Sequence, residues 1–324
     1  MNYPHMRRRS FLQAAAFTPS LALATAWAAS PIALKGLQLV IPAPAGSQPD
    51  VIARWIVEPL ARKAGVPGVV ANMPGAAGAL AADAVLRGNP ENGLLLMGGL
   101  DHVAYSHLNS NRRALDPFTD FAPVAAVNRD TWVVATAADT PSQSLQSLVE
   151  RARREPLNYP SNGEGSTAHL LSARLCKALG IEAQHVPYRD PWMPDLIAGR
   201  VHFVVAPTPA VLPQLRAGRL RALATLTDQR LPLPGEPPTI RELGSPDLVF
   251  YGGLFLFAPA SLSSMAPQLN AWFRESVGTP DILQRYRDAS IEPALLDLAA
   301  TGDLVRERLQ TVDAMRLAAF GKSR

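Results

Sequence analysis

The sequence predicts an α/β protein of two lobes, each carrying a largely parallel sheet, behind an N-terminal export leader. Three observations point there. From residue 37 onward, short unbroken apolar runs alternate with longer stretches of helical period. That is the pattern of strands buried on both faces by crossover helices. The 324 residues are too many for one typical domain and suit two. The first thirty residues run from a basic cluster through an apolar stretch to small residues, the order of a targeting segment.

The leader is assigned to residues 1–29. Arg8-Arg9-Ser10-Phe11-Leu12 matches the twin-arginine pattern of paired arginines, a spacer and two apolar residues. An ordinary Sec signal with incidental arginines is the alternative. Ala24-Thr25-Ala26 and Ala26-Trp27-Ala28 offer cleavage sites near residues 26–29. The apolar stretch is too short and alanine-rich for a stable span, and no later run reaches about 18 apolar residues. The expectation is an exported, periplasmic protein.

Composition supports packed cores. Hydrophobic residues make up 48% and charged residues 18% of the chain, which rules out a disordered reading. Thirty prolines and 22 glycines fit many short connections. The net charge of +4 lies mostly in the leader: without Arg7, Arg8 and Arg9, 28 basic side chains face 27 acidic ones, a formal +1. Nothing in that balance suggests nucleic acid as a partner.

In chain order, strands are expected at 37–41, 69–72, 94–97, 132–135, 185–188, 203–205, 221–225 and 254–257. Helical patterns fill 52–64, 78–86, 145–154 and 169–178, and residues 265–319 read as mostly helical. Two sheets are needed to account for this length. The clearest loops lie at 139–142 and at 231–238, whose sequence is LPLPGEPP.

Two loops carry the chemistry. Pro42-Ala43-Pro44-Ala45-Gly46-Ser47-Gln48-Pro49-Asp50 stands directly between a strand and a helix. Such a junction offers free backbone N–H groups and the positive end of the helix dipole to an anion. Ser47 with Asp50 resembles a capping box, with Asp in place of Glu. The second loop, Ser161-Asn162-Gly163-Glu164-Gly165-Ser166-Thr167-Ala168-His169, has the same design, with Ser166 or Thr167 as the cap. Either loop alone is compatible with a plain strand–helix turn. Two of them facing each other across a cleft could grip one small anion.

Other chemistries find less support. Neither loop has the spacing of a nucleotide P-loop or a dinucleotide fingerprint. Cys176, the lone cysteine, sits on a helical pattern and reads as a small buried hydrophobe. The histidines lack metal-ligand spacing, so no metal and no cofactor is expected. Ser166 and His169 could serve an exported hydrolase, but no nucleophile elbow is present. The expected protein is therefore not an enzyme.

At these residues the chain resembles the Bug-type extracytoplasmic solute receptors, the periplasmic substrate-binding components of tripartite tricarboxylate transporters. The resemblance rests on 40–54 (VIPAPAGSQPDVIAR), 71–78 (ANMPGAAG), 120–124 (DFAPV), 157–169 (LNYPSNGEGSTAH), 185–189 (HVPYR), 217–224 (AGRLRALA) and 236–240 (EPPTI). It implies a type II periplasmic-binding-protein fold, with two α/β lobes joined by crossing strands near 123–132 and 249–259. Residues 30–128 and 248–324 would form the first lobe and 129–247 the second. It further implies a monomeric receptor holding a small organic acid or an amino-acid-like ligand, with membrane transporter subunits or a sensor domain as partners. A ligand-sensing co-receptor without transport is the alternative role. Its ligand-binding residues would be Pro44, Ala45, Gly46, Ser47, Asp50, Gly99, Asp101, Ser161, Asn162, Gly163, Glu164, Gly165, Ser166, Thr167, His169, Tyr188 and Asp190.

The chain departs from the family pattern at several of these positions. Ala43 stands where the family usually has Phe, and Ser47 where it has a second glycine. Gly98-Gly99-Leu100-Asp101-His102 replaces small hydroxyl residues, Glu164 interrupts the second glycine loop, and Asp190 replaces a glycine. Three of these changes add a carboxylate near the expected cleft, which opposes a bound anion. The expectation is a ligand bearing a cationic group beside its carboxylate, or one less anionic than a dicarboxylate. The alternative places these acids at a solvated rim.

Overall fold

The computed structural model describes residues 32–105, 113–188, 191–289 and 291–320. The leader and Asp190 lie outside the described residues.

The first sheet is built from β1 (Leu37–Ile41), β2 (Gly68–Asn72), β3 (Leu94–Gly98), β4 (Phe121–Ala126) and β11 (Phe255–Pro259), in the order β2-β1-β3-β11-β4. The strand β1 runs parallel to β2 and β3, pairing Leu39 with Val70 and with Leu95. Period-two alternation sorts side chains to two cores. Leu39, Ile41, Leu95, Met97, Leu256 and Ala258 face one, together with α1 (Gln48–Ala64) and α8 (Ala266–Val277). Val40, Leu96, Phe255 and Phe257 face the other, beside α2 (Ala79–Arg87) and α3 (Leu100–Ala104).

The second lobe is organised on β5 (Asn128–Ala137), a ten-residue strand that follows β4 after Val127 alone. It pairs antiparallel with β8 (Val204–Pro207), with β9 (Leu220–Thr225) and, near its start, with the short strands β10 (Tyr251–Gly252) and β12 (Glu292–Pro293). Beside it, β6 (Leu157–Ser161) and β7 (Ala183–Pro187) form a parallel pair. Trp132 and Val134 point into a core with α4 (Leu145–Ala152) and α5 (Thr167–Leu179). Val133 and Ala135 point into another with α6 (Met193–Ile197) and α7 (Thr208–Arg216).

The expectation of largely parallel sheets holds for β2-β1-β3 and for β6-β7 but not for the rest. The strands β5 and β11 arrive from the opposite lobe, so they enter each sheet against its direction and make it mixed. The chain passes between lobes at Val127 and again at Gly253 and Leu254, and Val127 N–H donates to Leu254 O at 2.8 Å. A Cβ on Gly253 would collide with the Asn128 carbonyl oxygen, so the two crossings approach too closely for a side chain there.

The C-terminal region folds into α8, α9 (Pro280–Asp288) and α10 (Leu298–Phe320), with β12 between the last two. Expected wholly in the first lobe, α10 is shared: Val305 joins a first-lobe core, whereas Val312 and Met315 pack with α5 in the second. Among the described residues, no helix is long and apolar enough to cross a membrane.

Candidate functional site

The loop after β1 is braced from within by Asp50. This carboxylate is 2% exposed. It accepts Gly46 N–H at 2.8 Å and pairs with Arg54, whose Nη2 lies 2.9 Å from Oδ1 and whose Nε lies 3.1 Å from Oδ2. Burial alone would raise the Asp50 carboxyl, but hydrogen bonds from Arg54, Gly46 N–H and Asn72 outweigh it and hold the group below the usual carboxylate range. Asn72 Nδ2 donates to Ala43 O at 3.1 Å, tying the loop to β2. Pro44, Ala45 and Gly46 remain exposed at the tip.

The expected capping box between Ser47 and Asp50 does not form. Ser47 Oγ donates to Pro44 O at 2.6 Å, and its side chain makes no cap bond to α1. Asp is one methylene shorter than Glu, and its carboxylate turns instead to Gly46 and to Arg54 one turn along the helix.

The loop after β6 is supported by a stack of rings. Ser161 is 1% exposed; its Oγ accepts Gly163 N–H at 3.1 Å and lies 2.6 Å from His185 Nε2. Ser166 is the N-cap of α5: it accepts His169 N–H at 3.4 Å and donates to Gly163 O at 2.7 Å. Gly163 has φ +121°, which glycine alone adopts freely. Gly165 N–H donates to His169 Nδ1 at 3.1 Å, and the His169 ring stacks on His185 at 3.8 Å between centroids. Burial, then the neighbouring His185, pushes the His169 imidazole down to about 4. Burial also lowers His185. Two neutral imidazoles thus lie beneath the loop. Asn162 and Glu164 are exposed, whereas Gly165, Ser166 and His169 are buried.

This wiring does not suit a hydrolase. Ser166 Oγ is spent on Gly163 O and His169 Nδ1 on Gly165 N–H, so the two side chains do not form a nucleophile and its base. Ser161 with His185 has the right contact distance, but the hydroxyl is sealed under its own loop. Burial raises the Cys176 thiol to about 12, which leaves it unreactive at neutral pH.

The structure brings two of the expected acids and amides together across the lobes. Asp101, on α3 of the first lobe, accepts Thr167 N–H, the first of α5 in the second lobe, at 3.1 Å from Oδ2. Gly99 caps α3, and its N–H donates to His102 Nδ1 at 2.9 Å. The same nitrogen lies 3.6 Å from Asp101 Oδ1. Tyr188 is fixed to the second loop through its backbone, donating to Ser161 O at 2.8 Å, while its hydroxyl is turned away to Asp195 at 2.6 Å.

Three residues outside the expected ligand set complete the junction. Gln48, the first residue of α1, donates from Nε2 to Asp130 Oδ1 at 2.8 Å, and Asn128 Nδ2 donates to the same oxygen at 2.6 Å. Asp130 lies on the crossing strand, 5% exposed, and burial raises it to about 6 despite both amides. The signal was an acid in the polar run Asn128-Arg129-Asp130-Thr131 that leads into an apolar strand, since such a group stays buried only with partners. A groove of about 210 Å³ runs along the start of the same strand, lined by Arg129, Thr131, Thr208, Arg216, Leu231 and Glu292 among others; neither loop lines it. Among the described residues, no group of three or more His, Cys, Asp or Glu side chains is placed to hold a metal ion.

Two α/β lobes, two crossings and paired strand–helix loops define a periplasmic binding protein of the two-lobed type. Residues 52–316 match the family described as tripartite tricarboxylate transporter family receptor. The chain belongs to that family and is a solute receptor. It is 30% identical over 261 residues to a UPF0065 protein of the tcbD-tcbE intergenic region of Pseudomonas sp. strain P51, an alignment covering 79% of this chain and 77% of that one. It is 27% identical to BugT of Bordetella pertussis over 301 residues, 89% of this chain and 92% of BugT. An R. palustris protein solved with adipate superposes with a TM-score of 0.80 at 28% identity, covering 88% of this chain and 97% of the other. The periplasmic binding protein BugD shares the fold, with a TM-score of 0.76 at 22% identity over 87% of this chain and 97% of BugD. The family is one of receptors.

Proposed function

We propose that this receptor is exported to the periplasm, captures a small carboxylate-bearing solute between its lobes and performs no catalysis. The observation that carries the reading is the Thr167–Asp101 hydrogen bond, because it sets the N-terminus of α5 against the first lobe. Each loop then presents a helix N-terminus to the same cleft, and backbone N–H groups at such ends favour a carboxylate. The grip comes from Pro44, Ala45, Gly46 and Ser47 on one side and from Asn162, Gly163, Glu164 and Thr167 on the other. Asp50, Ser161, Gly165, Ser166 and His169 shape the loops from beneath. Gly99, Asp101 and Tyr188 border them.

In this reading residues 30–128 and 248–324 form one lobe, apart from the end of α10 that packs on α5, residues 129–247 form the other, and cleavage near residues 26–29 releases a monomer. The lobes close as a hinge about the two crossings, and the closed form docks on membrane transporter subunits or a sensor domain. The adipate bound by the R. palustris relative supports a carboxylate as ligand. Native mass spectrometry of the protein recovered from its own periplasm tests the proposal: the expected result is a co-purifying small acid, unchanged on incubation. A screen of carboxylates that leaves the melting temperature unmoved would overturn it, since a true ligand stabilises by mass action.

A further inference from the structure

We infer that Asp101 sets the charge of the ligand: its carboxylate occupies the end of α5, so the cleft accepts a solute with one carboxylate and disfavours one with two. The inference rests on the receptor reading above and narrows its substrate class.

Asp101 reaches from α3 to the first N–H of α5, with Oδ2 3.1 Å from Thr167 N. A helix N-terminus stabilises one negative charge well, through the same few N–H groups. A ligand carboxylate arriving there must displace that of Asp101 or share its donors, and either course sets two like charges side by side. Among the described residues, no Lys or Arg side chain pairs with Asp101. The His102 Nδ1 that lies 3.6 Å from Asp101 Oδ1 is taken up by the Gly99 N–H at 2.9 Å. In the facing loop the Arg54 guanidinium is committed to Asp50.

A second, independent feature points the same way. Asp130 lies on the crossing strand beside the opening of α1, 5% exposed, with only the neutral amides of Gln48 and Asn128 on its Oδ1. Among the described residues, no Lys, Arg or His side chain pairs with it. The junction between the lobes thus carries two acids, Asp101 and Asp130, neither paired with Lys or Arg among the described residues. The loop after β1 keeps its helix N-terminus for the single carboxylate of the ligand.

The test compares matched acids on the purified full-length receptor by titration calorimetry: butyrate with succinate, and hexanoate with adipate. The wild type is expected to bind each monocarboxylate at least as tightly as its dicarboxylate partner. Asp101→Ala frees the end of α5 and raises the dicarboxylate-to-monocarboxylate affinity ratio about tenfold, a change of about 1.4 kcal/mol. Asp101→Asn keeps an acceptor for Thr167 N–H without the charge, and raises the ratio by a smaller factor. Thermal melts confirm that both variants are folded, and the wild-type ratio stands independently of either. A ratio favouring dicarboxylates in the wild type, or one unchanged in both variants while binding persists, overturns the inference and leaves the receptor reading intact. Binding of no carboxylate by any of the three proteins overturns the receptor reading and the inference with it.

Discussion

Gln48 and Asp130 join the first turn of one lobe to the strand that enters the other, through a 2.8 Å hydrogen bond from Nε2 to Oδ1. The two residues are 82 positions apart in the chain. Their contact couples the loop after β1 to the crossing strand β5.

Asp130 makes stability depend on pH. Its carboxyl titrates at about 6 in the folded chain, because burial disfavours the ionised form, against 3.8 ordinarily. The folded state therefore holds the proton more tightly. This group opposes folding at pH 7.5, and the penalty is relieved as pH falls through 6 toward 4. Asp130→Asn keeps an acceptor for Gln48 and removes the charge. It is expected to raise stability at pH 7.5 by on the order of 2 kcal/mol and to leave it nearly unchanged at pH 4. Urea unfolding of both proteins at the two pH values measures the difference.

His169 acts in the opposite sense. Its folded value of about 4 lies below the ordinary 6.5, so its contribution is fully present above pH 6.5 and is lost as pH falls toward 4. Replacing His169 with Asn retains an acceptor for Gly165 N–H but cannot take up a proton. The variant's unfolding midpoint should fall less than that of the wild type between pH 7 and pH 4.5; equal slopes would remove His169 as a source of acid sensitivity.

The Asp50 clamp should govern both folding and binding. Asp50→Ala leaves the Gly46 N–H and the Arg54 guanidinium without their acceptor, at a cost of about 1 kcal/mol. Because the loop loses its fixed shape, affinity for a carboxylate probe such as hexanoate should fall by roughly tenfold. Arg54→Ala, which keeps the Gly46 contact, should lose less on both counts. Calorimetric titration with thermal melts separates the two effects.

Gly253 marks how closely the crossings pack. In Gly253→Ala, the new methyl group must push the Asn128 carbonyl aside. Overpacking of this kind costs about 1–3 kcal/mol. The expected outcome is a lower unfolding midpoint, and an alanine variant as stable as the wild type would show that the crossings yield freely.

Much of this was legible locally. The alternation of Leu39, Val40 and Ile41 between two cores follows from the period of a strand, and the glycines and capping serine of 161–166 announce a turn into a helix. The strand β4 was not legible: Pro123 and its alanines weaken the pattern, yet β4 lies at the edge of its sheet, where a proline is tolerated. The alternation also could not reveal that β5 and β11 run against their neighbours, because direction is set by which lobe a strand enters from.

The sequence by itself determined two α/β lobes, two strand–helix loops and an excess of acids near them, since each follows from residue types at short spacing. Only the tertiary structure decided what those acids do. Asp50 turned inward to Gly46 and Arg54, Asp101 crossed to Thr167, and Asp130 was buried against Gln48 and Asn128. Two of these unions join residues 66 and 82 positions apart. A carboxylate's partner is fixed by which N–H group the fold brings within 3 Å or so of it, and that distance belongs to the packing of the lobes.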